Sequence, residues 1–358
     1  MQVIKIKSNV RDYTVSFPDN ADFIGGLASK RDSIFVIDSN VWSHHGNGCL
    51  KSIAKSDIVV FPVSEDSKNL ASVEELYDRF MDRAAKKNMT LISIGGGILQ
   101  DITGFAATTL YRGINWIFLP TTLLAQADSC IGSKTSLNYK RFKNIVGTFY
   151  PPSEVHIYAP FLTTLEEVDF FSGLGEVVKL HIMGGEKTTQ ELIELLPRII
   201  KRDTQALMTV VRNSLGIKQS YMEGDEFDIG KRNLLNFGHC FGHALETVSR
   251  YEIPHGQAVV IGMVFANIAA RNRGLLSEKT SDYLMQRLLV NSIATRGTPS
   301  DYAFAPILDA MKKDKKRIGQ GLVVVMMKDD YSFEKVTDFS EQELQAALEE
   351  LKKTVVIK

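Results

Sequence analysis

The sequence predicts an α/β protein, with an N-terminal doubly wound parallel sheet over residues 1–160 and a C-terminal, mainly helical domain over 161–358. Three observations carry that expectation. Short apolar runs at 33–38, 58–63, 90–94 and 116–119 alternate with helical stretches, as parallel strands joined by crossover helices do. From Leu165 to about Asn291 the strand signals thin out and apolar residues recur at helical spacing. A chain of 358 residues is also long for one core.

At 44% hydrophobic and 23% charged, the composition is that of an ordinary soluble globular protein. Lys+Arg and Asp+Glu both number 42, so no global field favours nucleic acid or an anionic membrane, and neither is expected as a partner. No run of about 18 apolar residues predicts a membrane span. The start, MQVIKIKSNVRDYTV, alternates like a strand and lacks a signal peptide's apolar core. Cys49, Cys130 and Cys240 are odd in number and lack C-x-x-C spacing, which fits a reducing cytoplasm and argues against a thiolate metal cage.

In chain order, residues 3–17 read as one or two short strands, and 33–38 is a compact strand ending in Asp38. After 58–63 come Glu65, Lys68 and an amphipathic helix near 73–87. The strand 90–94 runs directly into Gly95-Gly96-Gly97 and a new helix, with Asp101 one turn in. Three glycines let the backbone approach a ligand, and the first-turn amides then face an anion, as at diphosphate-binding turns. A tight strand-to-helix connection without a ligand is the plain alternative, and the motif is not G-x-G-x-x-G. In parallel sheets ligands gather at the carboxyl ends of the strands. The strand 116–119 leads to Pro120-Thr121-Thr122, then to a stretch in which Asp128, Lys134, Lys143 and Asn144 are spaced among small residues. It reads as a non-helical loop suited to a phosphorylated ligand.

In the helical half, Glu176 and Lys179 share a helix face, a spacing that usually means a surface ion pair. Helices at 190–201 and 206–221 follow, then a stretch, 231–263, holding three of the seven histidines. His239 and His243 are four residues apart, one helical turn, among the apolar residues Leu234, Leu235, Phe237, Ala244, Leu245 and Val248. His255 follows Pro254 at the start of a second helix. Core histidines bonded to backbone carbonyls are the bland reading; three so close together favour a metal, since neutral imidazole is its commonest ligand. The Glu that a zinc protease carries after its first His is absent. A strand at 322–327 and a helix at 341–353 close the chain.

The succession GGG-x-x-x-D, R-G, P-T-T-L-L-A-x-x-D-S, K-N-x-x-G-x-F-Y-x-P, G-x-x-E-x-x-K, N-x-G-H-x-x-G-H-A-x-E and H-G, running from about Asp38 to Lys316, resembles 3-dehydroquinate synthase, of the sugar phosphate cyclases. The resemblance implies a nucleotide-binding α/β domain on a helical metal-binding domain, with the active site in the cleft. It implies zinc (or cobalt) on Glu176, His239 and His255, with His243 off the metal and near the substrate. NAD would lie across Gly96, Gly97 and Asp101, with Asp38 near the adenine ribose and Glu65, Lys68, Thr121, Thr122, Lys143 and Thr164 as further contacts. Substrate contacts would be Arg112, Asp128, Lys134, Asn144, Lys179, Lys218, Arg232, Asn236 and a lysine of the run at 314–316. In this family NAD transiently oxidises a ring hydroxyl, phosphate is eliminated, the ketone is reduced again and the opened sugar closes by an aldol reaction. A small-molecule sugar phosphate, a homodimer and a cytoplasmic location are implied with it.

Departures from the family pattern are Asp228 where Glu is common, Gly132-Ser133-Lys134-Thr135 for G-G-K-T, Tyr139 for His, and His255-Gly256-Gln257 for H-G-E. They leave room for a cyclase acting on sedoheptulose 7-phosphate or an amino analogue. A metal-dependent polyol dehydrogenase, which commonly has Asp where Glu176 stands, is the reading from another class, and a cyclase-like binding subunit without turnover is the third.

Overall fold

A computed structural model describes residues 3–140, 142–313 and 321–355. The chain forms two compact units, one ending at Leu165 and the other beginning at Glu166.

The first unit is built on a seven-stranded sheet. Its strands are β1 (Val3–Ile6), β2 (Tyr13–Ser16), β3 (Ser33–Asp38), β4 (Ile58–Phe61), β5 (Thr90–Gly95) and β6 (Asn115–Pro120); β7 (Lys134–Tyr139) and β8 (Phe142–Phe149) form a separate ribbon, and β9 (Glu154–His156) returns to the sheet. The order across the sheet is β1-β2-β9-β6-β5-β3-β4. Only β1 and β2 are antiparallel; every other neighbouring pair is parallel. Parallel strands are covered on both faces, which is why β3 and β5 read as unbroken apolar runs rather than alternating ones. On one face Ile24, Phe35, Ile37, Ile92, Ile94, Ile117, Leu119 and Phe161 form a continuous core. β3 pairs with β4 on one side and β5 on the other, so the winding reverses between β3 and β5. Asp38 and Gly95, the last residues of those strands, flank this switch point, where open α/β sheets bind ligands.

The stretch expected as a loop after Thr122 is in part an antiparallel ribbon, with Lys134 opposite Phe149 and Tyr139 opposite Phe142. Its strand signal is weak for a physical reason. Only Thr135 and Leu137 of β7 are fully buried, no residue of β8 is, and the register shifts between Leu137 and Tyr139.

The second unit is helical, with one ribbon of β10 (Leu322–Met327) and β11 (Phe333–Phe339). Its centre is the helix His255–Asn272, buried without interruption from Gly256 to Ala270. The helices Glu167–Met183, His239–Val248 and Glu341–Val355 pack around it, as does β10. No helix among the described residues is long and apolar enough to cross a membrane. All three cysteines are free thiols.

Candidate active site

Close helix packing assembles the histidine cluster. A methyl group on Gly175 would lie 2.1 Å from the carbonyl oxygen of Gly256, and one on Gly256 would lie 1.7 Å from that of Ser172. The helices Glu167–Met183 and His255–Asn272 therefore touch backbone to backbone, and the Gly256 amide donates to the Ser172 hydroxyl at 3.1 Å. Gly238 adopts φ 77°, and a methyl on Gly262 would meet its carbonyl oxygen at 1.9 Å. These contacts bring Glu176, His239 and His255 together from three helices.

Their ligand atoms all lie within 4.8 Å of one another. Glu176 Oε1 is 3.3 Å from His239 Nε2 and 3.2 Å from His255 Nε2. The other ring nitrogens are engaged elsewhere: His239 Nδ1 is 3.1 Å from the Phe237 carbonyl oxygen, and His255 Nδ1 is 3.1 Å from Glu246 Oε2. Both acceptors hold a ring proton on Nδ1, so in the neutral imidazole that a metal requires it is Nε2 that would turn its lone pair towards Glu176. Glu176 is 1% exposed on its side chain, and its Oε1 accepts no hydrogen bond of proper geometry. Three potential ligand atoms thus face one another around Glu176. Ligands about 2.0–2.2 Å from a shared tetrahedral ion stand roughly 3.3–3.6 Å apart, close to the separations found here. The donor set, one carboxylate and two imidazoles, fits a divalent zinc-like ion with an open position.

Charges around the cluster are strongly coupled. Lys179 Nζ is 2.5 Å from Glu176 Oε2, and both side chains are almost wholly buried, 3% and 1% exposed. The surface ion pair that their spacing suggests is instead a core pair. Burial opposes the Glu176 charge, but Lys179 and His239 hold its pKa well below the ordinary carboxylate value. Burial lowers the pKa of His239, with Lys179 adding to the effect. Burial also opposes charge on His255, yet Glu246 and Glu176 outweigh it and raise the pKa to about 10. The contrast arises because His255 lies between two carboxylates while His239 lies near the lysine.

His243 stands beside this set, its ring centroid 5.4 Å from that of His239 and 5.8 Å from that of His255. Lys218 and Arg232 are buried cations of the same unit. Arg232 is held by a loop wound on Asp225, whose carboxylate accepts the amides of Ile229, Gly230 and Arg232, each at 2.8 Å. The Arg232 guanidinium donates to the Glu226 carbonyl, and Asn236 Nδ2 to that of Asn233 at 2.7 Å. The lysine expected within 314–316 lies outside the described residues.

The second assembly belongs to the first unit. Asp38 caps the helix Ser39–His45 by accepting the Asn40 amide at 2.8 Å, and Thr121 donates its amide to the Gly95 carbonyl at 2.9 Å. Gly96 is the N-cap of the helix Gly97–Thr109, which no side chain caps. A methyl on Gly96 would lie 2.9 Å from Thr122 Cγ2, so the turn has no room for one. The first backbone bond back to Gly96 comes from Gln100, and the amides of residues 97–99 point out of the helix end. Beyond the strand ends Lys68 pairs with Asp101 at 2.5 Å and donates to Asn144 Oδ1 at 2.7 Å. Asp101 also accepts the Ser136 amide at 2.8 Å; burial raises its pKa despite these partners. Glu65 Oε1 accepts from Asn138 at 2.8 Å and lies 3.4 Å from Lys143 Nζ. Thr164 meets His45 Nε2 at 2.9 Å.

Asp38, Glu65, Lys68, Gly96, Gly97, Asp101, Thr121 and Thr122 thus all follow the carboxyl ends of parallel strands, and Lys143 and Asn144 reach them from the ribbon. Asp128 lies in a short π-helical segment, Ala125–Ser129, after β6, where the sequence predicts a non-helical loop, and Lys134 is exposed at the start of β7. Arg112 is elsewhere. It follows the helix Gly97–Thr109 at the end remote from Gly97, about 20 Å along, just before the amino end of β6. Reading by residue type missed Ser136 and Asn138, which lie in the unrecognised ribbon. It also left Glu246 without a role, although Glu246 is one helical turn from His243.

Residues 58–172 match the model of the 3-dehydroquinate synthase N-terminal domain, and residues 173–317 that of its C-terminal domain. The chain belongs to the 3-dehydroquinate synthase family. It is accordingly an enzyme of the lyase type. The 3-dehydroquinate synthase of Clostridium tetani is 34% identical over 330 residues, 90% of this chain and 87% of the relative. That of Streptococcus pyogenes serotype M3 is 33% identical over 334 residues, covering 91% and 92%. Among solved structures, the 2-epi-5-epi-valiolone synthase of Streptomyces hygroscopicus subsp. jinggangensis, with NAD+ and Zn2+ bound, is similar at a TM-score of 0.85 and 25% identity, covering 98% of this chain and 99% of that one. One departure from the dehydroquinate synthase pattern now has a structural reason. Gln257 is fully buried; its amide nitrogen donates to the carbonyls of Phe171 and Ser292, and its oxygen accepts the amides of Ala294 and Thr295. A Glu there could not donate.

Proposed function

We propose that this enzyme converts 3-deoxy-D-arabino-heptulosonate 7-phosphate to 3-dehydroquinate and phosphate, in the shikimate pathway towards aromatic amino acids, with NAD and zinc (or cobalt) as cofactors. The observation that carries the reading is the buried Glu176 oxygen within 3.3 Å of the Nε2 atoms of two histidines, in a chain of the 3-dehydroquinate synthase family. Glu176, His239 and His255 would hold the ion, which when bound supplies Lewis acidity to a substrate oxygen. Gly96, Gly97 and the helix amides behind them would hold the NAD diphosphate, with Asp38 across the switch point at the ribose; bound NAD supplies reversible hydride acceptance. NAD and a metal in the valiolone synthase structure support both assignments.

The chain's own residues do the remaining work. Lys179, Lys218 and Arg232 are cations already stripped of water by the fold, so a substrate phosphate or carboxylate meets them without further desolvation on the protein side. Asn236 would orient a hydroxyl, and His243, beside the ligand set, would move a proton. A homodimeric, cytoplasmic enzyme completes the proposal.

The test assays phosphate release with metal, catalytic NAD, and either the acidic substrate or sedoheptulose 7-phosphate. The acid's carboxylate adds a charge-assisted contact with the buried cations that the neutral sugar cannot make, so the acid is expected to be preferred at least about a hundredfold in kcat/KM, roughly 2.7 kcal/mol. No NADH accumulates, and Arg232→Ala erodes the preference. Comparable rates for the two sugars would move the enzyme to another branch of the cyclases. Stoichiometric NADH from an alcohol would make it a dehydrogenase.

A further inference from the structure

Glu246 lies behind the ligand set. Its side chain is 10% exposed, and its Oε2 is 3.1 Å from His255 Nδ1, while the Nε2 of the same ring faces Glu176. A ligand atom of His243 also lies within 4.8 Å of those of Glu246 and His255. The helix His239–Val248 carries the two flanking residues His243 and Glu246 at one-turn spacing, so a single element addresses both histidines.

Charge shows why a carboxylate stands there. His239 and His255 are the first residues of their helices, so two positive helix ends point at the cluster. The Glu176 charge is matched by Lys179 at 2.5 Å. A divalent ion on the three ligands would then sit in a buried space with two net positive charges and two helix dipoles opposing it. Among the described residues, Glu246 is the one other carboxylate grouped with these histidines.

We propose that Glu246 is a positioning residue for the metal, fixing the His255 tautomer through Nδ1–H and supplying the negative charge that the Glu176–Lys179 pair does not. The inference rests on the metal site described above. Carboxylates placed behind ligating histidines in this way are worth about 10–100-fold in metal affinity.

The experiment titrates metal-free enzyme with zinc against a chromophoric chelator, and with cobalt by its visible absorption, for wild type, Glu246→Gln, Glu246→Ala and Glu176→Ala. The metal-free melting temperature is recorded for each. Glu246→Gln keeps an acceptor for Nδ1–H but loses the charge. It is expected to weaken zinc about tenfold, and Glu246→Ala towards a hundredfold, with the cobalt spectrum altered in both. Wild-type affinity in Glu246→Gln and Glu246→Ala, with or without a lowered melting temperature, would overturn the inference and leave Glu246 a packing residue. Failure of wild type to bind either ion, or undiminished binding by Glu176→Ala, would instead remove the metal assignment itself.

Discussion

Gly175→Ala tests whether backbone contact between two helices sets the metal site. The added methyl would stand 2.1 Å from the Gly256 carbonyl oxygen, where real contacts stay beyond 3.0 Å, so the helices must part by about 0.9 Å. Neither side can yield by rotating a side chain, because the clash is with backbone. Alanine gains about 1 kcal/mol over glycine in a helix interior, whereas forcing an extra carbon into a packed core costs about 1–3 kcal/mol. The clash falls at the severe end of that range, and a net loss of about 2 kcal/mol is expected. For a unit of this size that lowers Tm by about 4–8 °C. Glu176 and His255 ride on the two displaced helices, and binding constellations tolerate only about 0.5 Å, so zinc affinity should fall at least about tenfold. Gly216→Ala is the control: a methyl there meets nothing within 4 Å, and the propensity gain should raise Tm slightly. Calorimetric melts of the metal-free and zinc-loaded proteins, with a zinc titration, read both quantities. A Gly175→Ala protein with the wild-type Tm and zinc affinity within twofold of wild type would refute the argument.

Three further outcomes are expected. Glu176→Ala should lose metal as measured by elemental analysis, while His243→Ala keeps it and turns over slowly; equal loss in both would show the ligand set to be misassigned. His181 is fully buried, and burial lowers its pKa from 6.5 to about 4, only partly offset by its hydrogen bond to the Val177 carbonyl. Its folded pKa lies below its unfolded one, so this stability is present above pH 6.5 and drains away as pH falls through about 4, up to about 3 kcal/mol. Denaturant unfolding between pH 7 and 4 should therefore show a shallower decline for His181→Leu than for wild type. Gln257→Glu places a carboxylate oxygen against the carbonyls of Phe171 and Ser292 and should cost about 2–5 kcal/mol; an unchanged denaturation midpoint would show that Gln257 is not the lock its four bonds suggest.

What the sequence determines by itself is local. Apolar runs of strand length mark β3, β5 and β6, because strands covered on both faces need no alternation. The three glycines that end β5 and open the next helix, the one-turn spacing of His239 and His243, and the choice of carboxylate and imidazole as donors are likewise properties of neighbouring residues. Contacts between distant segments decide the rest. Nothing in the spacing of Glu176 and Lys179 distinguishes a solvated pair from the buried one observed; the helix carrying Gly256, some eighty residues on, closes over them. The β7–β8 ribbon gains its register from pairing with itself and with the helix Gly97–Thr109, which two inward side chains cannot announce. Asp101 lies in the first turns of the helix Gly97–Thr109 and Arg112 just beyond its far end, so helix length sends them towards opposite ends of the strands. Glu246 acquires its role from His255, nine residues away around a turn whose path only the packed helices specify.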